Sequence, residues 1–174
     1  LKEEPIMAAP AAPTASRSST VSWSAVSDAV AYWATIVGVY VAFGFLWYFS
    51  AKEKLIDQSG AMPAGLAKSY AGSFIESFPG LNASWLLLGL VEAAAFLLVV
   101  ASLLRGEFLQ GRGKPILLAS LAVSLLTFAL LTFGQDITGN HDSVAQLFSY
   151  MGVTAVVYLL LRFVPLFGEW RARA

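Results

Sequence analysis

Four long stretches of this chain carry almost no charge, and that feature decides what it can fold into. They are Ala29 to Ala51, Leu81 to Leu104, Pro115 to Gln135 and Ser143 to Leu161, together 87 of 174 residues. Each is long enough, as a helix, to supply the about 20 residues that cross the hydrocarbon core of a bilayer. A backbone in hydrocarbon must pair its own N–H and C=O groups, so apolar stretches of this length read as helices rather than open strands. With 57% hydrophobic and 13% charged residues, the chain also carries more apolar surface than a soluble domain of its size can hide. The expected fold is all-α: an integral membrane four-helix bundle over residues 29–162, with spans at about 29–51, 81–104, 115–135 and 143–161.

The charged residues balance, with 11 basic against 11 acidic, and give no electrostatic reason to expect a nucleic acid partner. Cysteine is absent and histidine occurs once, at His141. From this chain alone, that excludes thiol redox chemistry, a thiolate-held iron–sulfur cluster, a bis-histidine haem and a structural zinc site. No metal site and no intrinsic cofactor are expected, and a solitary loop histidine reads as a solvated surface group. What lies outside the spans is too short for a soluble catalytic domain. The chain can be at most a membrane subunit of an enzyme.

Residues 1–28 read as a disordered arm, because the run MAAPAAPTASRSST is rich in Ala, Pro, Ser and Thr and cannot bury enough surface to offset chain entropy. No apolar run begins before Ala29, so the first span is expected to be an uncleaved anchor. Residues 163–174 form a short tail. Lys and Arg number eight in the arm, the second loop and the tail, against three in the first and third loops. Positively charged loops stay in the cytoplasm, so both termini are expected there. In the first loop, Leu66, Tyr70, Phe74 and Phe78 recur every four residues after Pro63. That spacing predicts a short helix of about four turns lying in the outer interface or covering the mouth of the bundle. Asp142 or Ser143 is expected to cap the last helix.

Glu92 stands at the middle of the second span and is the candidate for chemistry. A carboxylate at that depth costs about 3 kcal/mol or more on insertion scales, so it should face the bundle and find partners. Gly89 and Ala93 place small residues beside it, and Ala34, Gly38 and Ala42 form a second small stripe on the first span. Together they predict close packing of the first two spans, with Tyr40 brought near Glu92. Ser124, Thr127 and Thr154 lie at comparable depth, although Ser and Thr commonly bond back to their own helix. Lys52, Glu53 and Lys54 at the end of the first span, with Asp136, His141 and Asp142 on the same side, read as a salt-bridged collar, or as an outward-facing site for a polar headgroup or small anion above an apolar pocket. The candidate ligand-binding residues are Tyr40, Lys54, Glu92, Ser124 and Thr127, with Glu92 as the candidate proton relay.

Gly44, Phe45 and Lys54 at the end of the first span, followed by the second-span sequence LLGLVEAAAFLLV, resemble the DoxX-like family of small four-helix bacterial membrane proteins over roughly residues 37–162. Gly44, Lys54, Gly89 and Glu92 are the positions that match. The resemblance implies a place in the bacterial inner membrane and a quinone-linked role as a membrane subunit of an oxidoreductase complex, with a quinone or lipid as ligand. Two alternatives stay open on the residues. One is a noncatalytic accessory subunit of a larger membrane complex or a homo-oligomer, and the other is a small proton-coupled transporter.

Overall fold

The computed structural model describes residues 23–163. Among them every regular element is helical, in the order α1 (Trp23–Lys52), α2 (Ala64–Ser69), α3 (Phe74–Ser77), α4 (Leu81–Leu104), α5 (Pro115–Ile137) and α6 (His141–Phe163). A π-helical turn, Glu53–Asp57, prolongs α1 without a break. The stretches Val26–Asp57, Leu81–Leu104, Pro115–Ile137 and His141–Phe163 are long and apolar enough to cross a membrane. At 1.5 Å per residue, the 24 residues of α4 reach about 36 Å, against a hydrocarbon thickness of about 30 Å. The chain is a multi-pass membrane protein.

The span boundaries differ from expectation where polar residues continue a helix. α1 begins at Trp23, six residues inside the segment read as a disordered arm, and runs beyond Ala51 to Asp57. The rest of that arm, and the tail beyond Phe163, lie outside the described residues. Only Thr138 to Asn140 separate α5 from α6. The cap of α6 is Asn140, whose Oδ1 accepts the Ser143 N–H at 3.3 Å, in place of Asp142 or Ser143.

The first loop does not hold one continuous helix. α2 stops at Ser69 and α3 begins at Phe74, with Gly72 between them at φ 78°, a left-handed conformation that ends a helix. The Glu76 carboxylate accepts the Gly72 N–H at 2.7 Å and holds the turn. The stripe Leu66, Tyr70, Phe74, Phe78 is therefore split: Tyr70 is buried, whereas Phe74 and Phe78 are exposed.

α4 packs between α1 and α5, and α6 packs on α5. The core is made by large side chains, with Tyr32, Ile36, Tyr40, Phe43 and Trp47 of α1 facing Ala95 and Val99 of α4 and Leu117, Leu121 and Phe128 of α5. This reverses the expected role of the small stripe on α1. Ala34, Gly38 and Ala42 are exposed, and nothing lies within 4 Å of where a Gly38 Cβ would be. The bulky face wins because it brings many more dispersion contacts than a small-residue face could. Close approach occurs at Gly89 instead, where a Cβ would fall 2.9 Å from Leu55 Cδ2 and 3.0 Å from Lys54 Cβ.

Hydroxyl groups tie the helices or satisfy themselves. Ser120 donates to the Ala95 carbonyl of α4 at 2.9 Å, and Trp47 Nε1 donates to Ser124 Oγ at 2.7 Å. Ser124, Thr127 and Thr154 each donate to the carbonyl four residues back. This is the common habit of such residues within helices.

Candidate functional site

Because α1 continues through its π turn, Lys54 is carried down against α4 rather than out to solvent. Its side chain is 6% exposed, that of Glu92 0%, and Lys54 Nζ stands 3.1 Å from Glu92 Oε1. The ammonium donates to Ser50 Oγ at 3.0 Å and lies 4.7 Å above the Trp85 ring. Trp85 is fixed in turn by its Nε1 donating to Gln58 Oε1 at 2.8 Å. The contact to Glu92 has the distance of an ion pair without hydrogen-bond alignment, so neither carboxylate oxygen accepts a directed hydrogen bond among the described residues. Charge attraction across a short gap in a low-dielectric interior is what compensates Glu92.

Trp85 also lines a cavity of about 270 Å³ between the first loop, α4 and α5. Leu66, Tyr70, Phe74 and Ile75 roof it, Leu88 and Leu131 form apolar walls, and Ser84 and Gln135 bring polar groups. Burial pushes the Tyr70 phenol above its ordinary pKa. The cavity and the ion pair therefore share one wall, the Trp85 indole.

Tyr40 does not join Glu92. Its hydroxyl lies 2.6 Å from Ser102 Oγ, and Ser102 donates to Glu107 Oε2 at 2.9 Å, so Tyr40 is the donor to Ser102. Glu107 is buried and also accepts the backbone N–H groups of Ile116 at 3.1 Å and Leu117 at 2.9 Å, at the start of α5. Lys114 donates to the Glu107 carbonyl at 2.6 Å and to Tyr32 Oη at 3.0 Å, while Tyr32 donates to the Phe108 carbonyl at 2.8 Å. Burial lowers the pKa of the Lys114 ammonium below the ordinary lysine value, and the Glu107 charge opposes that effect. This second polar centre has its groups partnered and clamps the Arg105–Lys114 loop to α1.

Of the five residues singled out from the sequence, the structure brings Lys54 and Glu92 together and places Tyr40 elsewhere. The Ser124 and Thr127 hydroxyls are spent on backbone carbonyls. The expected collar is dispersed: Lys52 pairs with Asp57 at 2.7 Å, and His141 Nδ1 lies 4.0 Å from Asp136, both exposed. Ser50, Gln58 and Trp85 belong to the site although the sequence did not point to them. Among the described residues, no group of three or more His, Cys, Asp or Glu side chains could hold a metal ion. Comparison with family models, curated proteins and solved structures gives no match to this chain.

Proposed function

We propose that this chain is a DoxX-like four-helix membrane bundle in which a flat apolar ligand, a quinone, docks beneath the first loop, and that it serves as the quinone-linked membrane subunit of an oxidoreductase complex. The observation that supports this most is the buried Lys54–Glu92 pair beside a ligand-sized cavity, joined to it by Trp85. A cavity of about 270 Å³, just below the about 300–1,000 Å³ usual for small-molecule sites, suits a single ring headgroup. Reduction of a quinone to a quinol takes up two electrons and two protons. The electrons come from a partner subunit, because a sequence with no cysteine and one histidine cannot hold an iron–sulfur cluster or a bis-histidine haem, and Glu92 relays protons, taking one up from the aqueous side for each it passes on, with Lys54 as its charge partner.

Glu92→Gln tests the proton role, since it keeps shape while removing the titratable group. Quinone-linked turnover is expected to fall by about 10²–10⁴-fold with the complex still assembled. Unchanged turnover in an intact complex would reject the role, and lost assembly without any intrinsic effect on turnover would make Glu92 structural. The accessory-subunit reading has one supporting observation, the open outward face at Ala34, Gly38 and Ala42, against which a partner helix could approach closely. Stable copurification with a large enzyme, with no quinone retained, would favour it.

In this reading both termini lie in the cytoplasm, which the eight to three distribution of basic residues supports, and the membrane is the bacterial inner membrane that the DoxX-like resemblance implies. In a chain without cysteine, an impermeant thiol reagent applied to intact cells should label a cysteine at exposed Asp142 and not one at exposed Gln110. The opposite pattern would invert the topology.

A further inference from the structure

A second, larger concavity lies on the outer surface of the α1–α4 pair, away from the Lys54–Glu92 pair. It is a groove of about 680 Å³ running from Trp33 and Phe108 past Val41 and Gly44 to Tyr48 and Phe96. Trp33 to Tyr48 is fifteen residue steps, roughly 22 Å of helix, longer than one leaflet of a bilayer whose core is about 30 Å thick. The lining is almost wholly apolar; of its two tyrosines, Tyr40 has its hydroxyl engaged by Ser102, and Tyr48 stands at the far end. An occupant must therefore be apolar along this length.

The loop that follows α4, whose Phe108 lines the Trp33 end, carries charge. Arg105 caps α4 two residues beyond groove-lining Leu103, and Arg112 folds back so that its Nη1 lies 3.3 Å from the Arg105 carbonyl. Both arginines are exposed. Among the described residues neither arginine forms an ion pair with a carboxylate. Glu107 is buried and spent on Ser102 and the start of α5, and Lys114 is buried against carbonyls and Tyr32. Asp28 is half-buried on α1. Trp33, 41% exposed and edge-on to Tyr32, is the kind of residue found at headgroup level.

We propose that this groove binds one anionic phospholipid, with an acyl chain along α1 and α4 and the phosphate at Arg105 and Arg112. Complementary charge selects this occupant over a second copy of the chain. The exposed helix α6 ends at the same membrane face with Arg162, so a copy seated in the groove through α6 would bring a third guanidinium to the two already there.

The test uses the full chain in mixed micelles holding equal phosphatidylglycerol and phosphatidylcholine of matched chains, with retained lipid quantified after exchange. The wild type should retain the anionic lipid preferentially, and the preference should shrink at high salt. R105Q/R112Q should lose it by about fivefold per arginine while still holding lipid. V41W, at an exposed groove position, should lower retention of both lipids. Equal retention by the wild type at low salt, or an unchanged preference in R105Q/R112Q, would overturn the proposal. So would wild-type dimers that V41W dissolves without any change in lipid content, which would identify a second copy as the occupant. The salt dependence is read on the unaltered protein, so a misfolded variant leaves the proposal open to refutation.

Discussion

Lys54→Met should destabilise the protein by about 3–5 kcal/mol, because it strips the only charge partner from a carboxylate that is fully buried and accepts no directed hydrogen bond among the described residues. Glu92→Leu should cost less. Without Glu92, the Lys54 ammonium keeps Ser50 Oγ at 3.0 Å and the Trp85 face at 4.7 Å, whereas without Lys54 the Glu92 carboxylate stays buried with no cation and only the Ser50 hydroxyl nearby among the described residues. The double variant Lys54→Met/Glu92→Leu should recover most of the loss, since replacing a whole buried pair by apolar side chains is often neutral. Denaturant unfolding in micelles, arranged as a double-mutant cycle, reads the coupling directly. Simple additivity of the two single losses would show that the 3.1 Å contact contributes nothing.

Glu107→Ala should cost roughly 3 kcal/mol or more and loosen one helix end in particular. The residue before α5 is Lys114, which has no acceptor for the free amides of the first turn, and Pro115 has no N–H to offer. Glu107 supplies that acceptor from the preceding loop, bonding Ile116 and Leu117 while taking the Ser102 hydroxyl. Hydrogen bonds to a charged acceptor are worth about 1.5–3 kcal/mol each, and a negative charge at a helix start adds to them. Amide hydrogen exchange should therefore rise first at Ile116 and Leu117 and leave Leu81 to Val99 protected. Unaltered exchange at those two amides would mean that solvent or another group caps α5 equally well.

The four spans were legible because lipid leaves so little choice: a charge-free run of about 20 residues becomes a helix. Leu81 to Leu104 coincides with α4, and Pro115 begins α5 as its fixed φ favours. Glu92 was legible from its depth alone, since a carboxylate there must find compensation. Its partner was not. Lys54 follows the apolar run, where lysines usually snorkel to water, and nothing local announces that the helix continues in a π turn to Asp57. Pairing Tyr40 with Glu92 assumed that helices meet at their midpoints. α1 is the longer helix and overhangs α4 at its N-terminal end, where Tyr32 bonds the Phe108 carbonyl, so Tyr40 lies beside the last turn of α4, at Ser102. Glu107 and Lys114 looked like ordinary loop charges. The signal that pointed to them was negative: an N-terminal proline helix with no Ser, Thr, Asp or Asn before it needs an acceptor from elsewhere. The broken loop helix was foreshadowed by Gly72, whose positive φ interrupts a stripe that spacing alone presents as continuous.

The buried pair also sets an order for biogenesis. Lys54 emerges from the ribosome 38 residues before Glu92, so the first helix must enter the bilayer with its lysine still wet at the lipid surface. The helix carrying Glu92 then meets a ready counter-charge that offsets the cost of inserting its carboxylate. Integration of the third crossing element in the chain depends on neither residue, and the last one buries only Thr154. The first two membrane helices thus enter as a coupled unit, and the later ones join a pair whose charges are already matched.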